Sequence, residues 1–341
     1  MAKITINGST YCAEQGQTIL QVCQKNGIHV PTFCFDPRLK PGGTCRICVV
    51  EIEGKDNLMV SCAVPVTDGM VVQTNSAKVK AERKSILENV VAKTSVDASS
   101  PNATGNSKLV SYAKEYGVEI PKQDKKENIV IETEVFTMDS SKCIRCQLCA
   151  KVANNLQHCG ALNVRGKITD DSFGFDFDPE KCVRCGNCVA ACPTEALVTK
   201  KDVPYSAGNV TKTQATCPFC GVGCQINYLV KEGRIVGAEP VMDAVNNGLL
   251  CVKGRFGYHY VQHESRVKTP LIRKNGKMEP ATWDEALSLI HEKLGGIKEK
   301  NGGEAITFFG SGKANNEANY MLQKFARAVI GSNSVDICAR L

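Results

Sequence analysis

The chain has 341 residues, 43% apolar and 23% charged, which is soluble-domain composition with room for two or three domains. It carries a formal charge of +7 and nineteen cysteines. No apolar run approaches the ~18 residues of a membrane helix, and M-A-K-I-T-I-N-G is neither a signal peptide nor a twin-arginine signal, so a cytoplasmic chain with no membrane partner is expected.

In chain order, K-I-T-I-N-G-S-T-Y reads as strand, turn and strand, with Asn7-Gly8 at the turn. Residues 18–25 read as a short helix ended by Asn26-Gly27, and residues 48–53 and 70–74 as strands. Residues 76–93 form an amphipathic helix, residues 94–108 a polar loop, and residues 108–116 a second helix. Residues 122–128 are a charged linker. Residues 138–200 are cysteine-dense and internally repeated, and residues 201–215 link again. From about residue 280 the pattern alternates: helix 283–300 with Thr282 and Glu285 at capping-box spacing, strand 305–309, a glycine loop, and helix 319–330.

In a reducing compartment this many cysteines points to metal rather than disulfides. The first group is Cys34, Cys45, Cys48 and Cys62, spaced C-x10-C-x2-C-x13-C. Three thiols on one glycine-containing loop plus one from a neighbouring strand suit a [2Fe–2S] cluster, with Gly42 and Gly43 letting the backbone bend around it. A zinc site is the rival, and it usually uses two C-x2-C knuckles where this group has one. Cys12 and Cys23 have no partners in the spacing and are expected to be buried small apolar residues.

The second group is tandem. C-V-R-C-G-N-C-V-A-A-C-P, beginning at Cys182, is the full C-x2-C-x2-C-x3-C-P run of bacterial [4Fe–4S] ferredoxins. Its fourth cysteine, Cys192, crosses to the other cluster, which takes Cys143, Cys146 and Cys149. The cluster of Cys182, Cys185 and Cys188 lacks its usual crossing ligand, because that position is Ala153. Cys159 is expected to substitute; His158 is the other candidate, and a three-iron or labile cluster is the rival outcome. C-P-F-C-G-V-G-C, with Cys217, Cys220 and Cys224, is joined by Cys251 as a third [4Fe–4S] set, with zinc again the alternative. Four clusters, each about −2 with its thiolates, bring the net charge to roughly −1, so the basic excess does not argue for nucleic acid.

The stretch from Cys217 to V-K-G-R-F-G resembles the N-terminal cluster domain of molybdopterin oxidoreductases, in particular the formate dehydrogenase catalytic subunit. So do A-T-W-D-E-A-L and N-N-E-A-N-Y-M-L-Q-K-F-A-R-A-V-I-G. The first half resembles the N-terminal part of the complex I large iron–sulfur subunit and of iron-only hydrogenases, a module also fused to cytoplasmic formate dehydrogenases. The resemblance implies an α+β, multidomain chain: a β-grasp [2Fe–2S] ferredoxin domain (1–78), a helical segment and linker (79–134), a tandem [4Fe–4S] ferredoxin domain (135–202), a linker (203–214), the [4Fe–4S] domain of molybdopterin oxidoreductases (215–268) and an incomplete α/β domain (269–341). It implies that Lys253, two residues past Cys251, relays electrons between cluster and pterin. The loop G-S-G-K-A-N-N-E fits a tight βα turn, but the family places it near the bis-molybdopterin guanine dinucleotide, so Gly310 and Gly312 become weak candidates for cofactor contact. Relatives often carry a further cluster held by one histidine and three cysteines. Its ligand positions here are Thr94, Ala98, Pro101 and Ser107, so that cluster is expected to be absent.

In the resembled family, Cys338-Ala339-Arg340-Leu341 runs into the cysteine or selenocysteine that ligates molybdenum or tungsten. The expectation is an end at a selenocysteine codon read as stop, leaving residues 270–341 poorly packed with apolar surface showing and no active site in the chain. The function implied is the iron–sulfur part of a formate dehydrogenase alpha subunit, holding one [2Fe–2S] and three [4Fe–4S] clusters. Its partner would be a flavin-containing NAD(P)-reducing iron–sulfur subunit or a hydrogenase module. A free-standing multi-cluster electron carrier, or another molybdopterin oxidoreductase or complex I relative, are the alternatives.

Overall fold

The computed structural model describes residues 1–96, 107–121, 128–165, 174–200, 209–312 and 314–337. The chain divides into two units, residues 1–211 and 212–341. The first begins with the hairpin β1 (Ala2–Ile6) and β2 (Ser9–Ala13). Asn7 and Gly8 take φ values of 50° and 87°, the left-handed pair that matches the twist of a two-residue hairpin turn. Helix α1 (Ile19–Lys25) starts at a capping box: the Thr18 hydroxyl accepts the Gln21 N–H, and the Gln21 side chain accepts the Thr18 N–H. Strands β3 (Val49–Ile52), β4 (Met59–Val60) and β5 (Met70–Gln73) complete a sheet of order β2-β1-β5-β3-β4, with β1 parallel to β5. A mixed sheet clasping one helix is the expected β-grasp. Ile4, Ile6, Ile19, Leu20, Val22, Val50 and Val72 fill its core, and Cys23 lies buried among them.

Cys12 is exposed, which corrects the expectation of burial. β2 is an edge strand paired only with β1, and its alternation turns Ala13 inward and Cys12 to solvent.

Helix α2 (Ala77–Lys93) buries Val79, Arg83, Leu87 and Val91, a four-residue stripe. It packs against β3 and against α3 (Lys108–Glu115). Arg83 fastens all three: its guanidinium donates to Val49 O (2.7 Å) and to Tyr116 Oη (2.9 Å).

The cysteine-dense segment contains β6 (Ile129–Glu132), β7 (Phe136–Asp139), α4 (Leu148–Lys151) continuing as a π-helical turn (Val152–Leu156), β8 (Leu162–Arg165), β9 (Gly174–Phe177), α5 (Asn187–Ala191) and β10 (Leu197–Thr199). β7 pairs with β6 and β10, and β8 with β9. The internal repeat is visible in the backbone. Arg145 and Gln147 take left-handed conformations before α4, as Arg184 and Gly186 do before α5. The Asp139 N–H donates to Ala196 O (2.8 Å), and the Asp178 N–H donates to Ala161 O (2.9 Å), so each half closes on the other.

The second unit opens with the meander β11 (Thr211–Thr216), β12 (Gln225–Lys231) and β13 (Arg234–Pro240). Residues 211–214, expected in a linker, therefore belong to a strand; residues 201–208 lie outside the described residues. Helix α6 (Val252–Phe256) follows, and the Tyr258 hydroxyl, fully buried, donates to Val236 O (2.9 Å). Next come the hairpin β14 (Leu271–Lys274) and β15 (Lys277–Pro280), helix α7 (Trp283–Asn301), β16 (Phe308–Gly310), helix α8 (Asn316–Lys324) with a π-helical extension (Phe325–Ile330), and β17 (Val335–Ile337) parallel to β16. The expected capping box of Thr282 and Glu285 is present. The strand starts at Phe308 rather than residue 305, because Gly303–Ala305 makes a 3-10 turn first. Neither α7 nor α8 buries a residue, and Trp283, Phe309 and Tyr320 are 64–70% exposed, matching the expected loose packing and apolar surface.

Candidate metal centres

The structure gathers the cysteines expected as ligands into four nests. In the first, Cys34, Cys45, Cys48 and Cys62 are all buried. A hydrogen bond from Cys45 holds the Cys34 thiol below its ordinary range against the effect of burial, and one from Cys62 does the same for Cys48. The donors Cys45 and Cys62 are raised in turn. The loop needs its glycines. Gly43 is left-handed (φ 61°), and a Cβ on Gly42 would collide with the Lys151 ammonium, which reaches in from α4. Cys34 and Cys45 share one apolar core with Cys146, Leu109 and Ile144, so the first and second nests lie against the same packing.

The second nest lines a hollow with Cys143, Cys146, Cys149 and Cys192, along with Pro193, Thr194 and Ala196. Cys192 comes from the end of α5 in the other half, the crossing expected from the spacing. Burial pushes the Cys143 thiol up to about 12 and raises Cys146 and Cys149 as well. Unpaired buried thiolates are costly, and a bound metal removes that cost by replacing the proton. The Arg145 N–H already points at Cys143 Sγ (3.3 Å).

The third nest lines a hollow with Cys182, Cys185, Cys188, Cys159 and Ala153. His158, the other candidate, does not line it. In the fourth, Cys217, Cys220, Cys224 and Cys251 lie close enough to act on one another electrostatically, and burial raises Cys217 and Cys224. The Cys251 sulfur accepts the Gly254 N–H (3.5 Å) at the start of α6. Gly257 makes room for Phe219, whose ring would meet a Cβ there at 2.5 Å. Among the described residues no three His, Cys, Asp or Glu side chains stand close enough to hold a single metal ion. In the second and third nests four thiols line a hollow, and N–H groups are aimed at sulfur in the second, third and fourth, an arrangement that fits polynuclear iron–sulfur clusters.

Lys253 is exposed on α6. Gly310 ends β16 where a Cβ would strike Asn319 Oδ1, and that amide clamps Ser311 through both its backbone N–H (3.2 Å) and its carbonyl (3.0 Å). This glycine is explained by the turn itself. Gly312 has open space around it, and Cys338 to Leu341 lie outside the described residues. Where relatives hold the ligands of the further histidine–cysteine cluster, Thr94 donates to Val90 O (2.7 Å) and Ser107 caps α3 by accepting the Val110 N–H. Thr94 ends α2 and Ser107 begins α3; residues 98 and 101 lie outside the described residues.

Two features go beyond the expectations drawn from the sequence. Asp139 and Asp178 each stand four residues before a cysteine run and bind the backbone N–H groups leading into it. The repeated D-x2-K-C is the signal that carries them. Asn187, 4% exposed, donates to Cys185 Sγ (3.3 Å) and Gln157 Oε1 (2.9 Å), which nothing local to its sequence announces.

Family comparisons agree with this layout. Residues 1–77 match a 2Fe-2S iron-sulfur cluster binding domain, 175–198 a 4Fe-4S binding domain, 210–263 the molybdopterin oxidoreductase Fe4S4 domain, and 266–341 a molybdopterin oxidoreductase model. The NADPH-Fe(3+) oxidoreductase alpha subunit of Geobacter sulfurreducens is 35% identical over all of this chain and 40% of its own length. The G 2 subunit of the NADH-quinone oxidoreductase of Rhizobium meliloti is 33% identical, with the same coverage. YrhE of Bacillus subtilis, provisionally named a formate dehydrogenase, is 33% identical over 99% of this chain and 39% of its own. The chain thus spans about 40% of the length of these relatives. Among solved structures, a chain of an NAD+-reducing [NiFe]-hydrogenase shares the fold over 58% of this chain and 87% of its own, with a TM-score of 0.51 and 24% identity. Among the described residues, no helix is long and apolar enough to cross a membrane. With its [2Fe–2S], [4Fe–4S] and Fe4S4 domains in order ahead of a molybdopterin oxidoreductase segment, the chain matches the N-terminal part of molybdopterin oxidoreductase-type subunits.

Proposed function

We propose that this chain is the electron-transfer part of a cytoplasmic formate dehydrogenase alpha subunit, interconverting formate and CO2 at a molybdenum or tungsten bis-pterin site beyond Leu341. The observation that carries this reading is the succession of four thiol nests in a chain whose last segment matches the molybdopterin oxidoreductase model. Bound there, one [2Fe–2S] and three [4Fe–4S] clusters would supply one-electron transfer. The chain's own residues do the rest. The cysteine thiols would hold the metal, backbone N–H groups would soften the charge on sulfur, and the core shared by Cys34, Cys45 and Cys146 fixes the first two nests relative to each other. By the family resemblance Lys253 would lie between the Cys217 cluster and the pterin and assist electron transfer there, and Gly310 and Gly312 would be weak candidates for contact with it. The partner is a flavin-containing NAD(P)-reducing subunit or a hydrogenase module.

A second reading, an NADPH-linked metal reductase or complex I relative, is favoured by the 35% identity to the Geobacter protein across the whole chain. The test uses the native complex, purified anaerobically. Formate added alone bleaches the cluster absorbance under the first reading. Bleaching by NADPH with none by formate would overturn it in favour of the second.

A further inference from the structure

The cluster of Cys182, Cys185 and Cys188 lacks a cysteine at the usual crossing position, which Ala153 occupies. Comparing the two halves of the tandem domain shows what has changed. In the second half, Cys192 is followed at Glu195 by a left-handed residue (φ 60°), then by Ala196, whose carbonyl accepts the Asp139 N–H. In the first half the matching left-handed residue is Gly160 (φ 64°), then Ala161, whose carbonyl accepts the Asp178 N–H. From Cys192 to Ala196 is four positions, and from Ala153 to Ala161 it is eight. The first half has therefore gained about one turn between its cluster helix and its strand.

That extra length is not slack. It is wound as the π-helical turn Val152–Leu156, capped by Gln157 and followed by His158 in a left-handed conformation (φ 54°) that carries local strain for a non-glycine residue. The reversal brings the Cys159 N–H back to Ala153 O (3.1 Å), and the Cys159 thiol donates to the same carbonyl (3.4 Å). Ala153, Cys159, Cys182, Cys185 and Cys188 line one hollow. Asn187 tethers the inserted turn from the other side, donating to Gln157 Oε1 and to Cys185 Sγ.

We propose that Cys159 is the fourth thiolate of the Cys182–Cys185–Cys188 cluster, delivered from the first half of the repeat to the second by the inserted turn, with Asn187 as its positioning residue. Ligation breaks the S–H bond that now faces Ala153 O, forms an iron–sulfur bond, and releases the proton to solvent. This rests on the iron–sulfur reading of the chain.

The test uses the full chain, loaded anaerobically, with iron analysis and EPR. Cys159→Ala loses about one iron and yields a three-iron signal, while the signals of the other nests persist. Adding Ala153→Cys to that variant restores the four-iron signal, because the ordinary position faces the same hollow. Asn187→Leu shifts the potential of this cluster alone. A Cys159→Ala protein with unchanged iron and EPR overturns the proposal; absence of iron from every nest overturns the broader reading instead. Should Cys159→Ala not fold, alkylation of the unaltered protein decides. Cys159 is protected until iron is chelated while Cys12 labels throughout, and equal labelling of Cys159 before and after chelation contradicts the assignment.

Discussion

At the scale of single residues, Asp139 sets the entry to the second nest. Its Oδ1 accepts from the N–H groups of Asn128 and Ser141 and from the Ser141 hydroxyl, and Lys142 stands 3.6 Å from Oδ2. Burial alone would raise this carboxyl, but the hydrogen bonds and Lys142 together hold it below its ordinary value. Its contribution is therefore complete above the unfolded value of about 3.9 and is lost as pH falls through the lower folded value. Asp139→Ala is expected to cost about 1–3 kcal/mol in urea unfolding at neutral pH, with the gap to the parent closing below about pH 4. Gly257→Ala forces a methyl into the Phe219 ring, between two cysteines of the fourth nest. It should cost about 1–3 kcal/mol and selectively weaken that cluster's EPR signal, and an unchanged signal would count against the packing described.

At the scale of elements, Arg83, 2% exposed, joins α2 to β3 and α3. Arg83→Met leaves the Val49 carbonyl, one residue past Cys48, without its charged donor. A loss of about 2–3 kcal/mol is expected, read by thermal unfolding, together with easier loss of the [2Fe–2S] absorbance. Which elements were legible in the sequence follows from how local their causes are. The Asn7-Gly8 turn, the Thr282–Glu285 box and the C-x2-C spacings are each decided within a few residues, and each was readable. The exposure of Cys12 depends on β2 having one neighbour, and the entry of β11 at Thr211 depends on pairing with β12; neither is encoded locally. Cys159 falls between. Its absence from the regular spacing raised the question, but only the repeat's second half, folded against the first, gives the inserted turn its direction.

At the scale of the molecule, the two units differ in what they bury. The first has continuous cores around its cysteines, whereas α7 and α8 present Trp283, Leu287, Ile290, Tyr320 and Met321 to solvent. Trp283 is the sole tryptophan and is 70% exposed. Its fluorescence should be red-shifted and freely quenched by acrylamide in this chain, and shielded once a covering segment or subunit is present. A blue-shifted, protected emission from the chain alone would contradict the open face.

The central claim is that four thiol nests hold one two-iron and three four-iron clusters. The direct measurement is iron and acid-labile sulfide per chain on protein purified without oxygen, with EPR of the reduced form. About 14 irons with a matching sulfide count, and signals from both cluster types, are predicted. Fewer than about ten irons, or zinc in their place, would contradict the account.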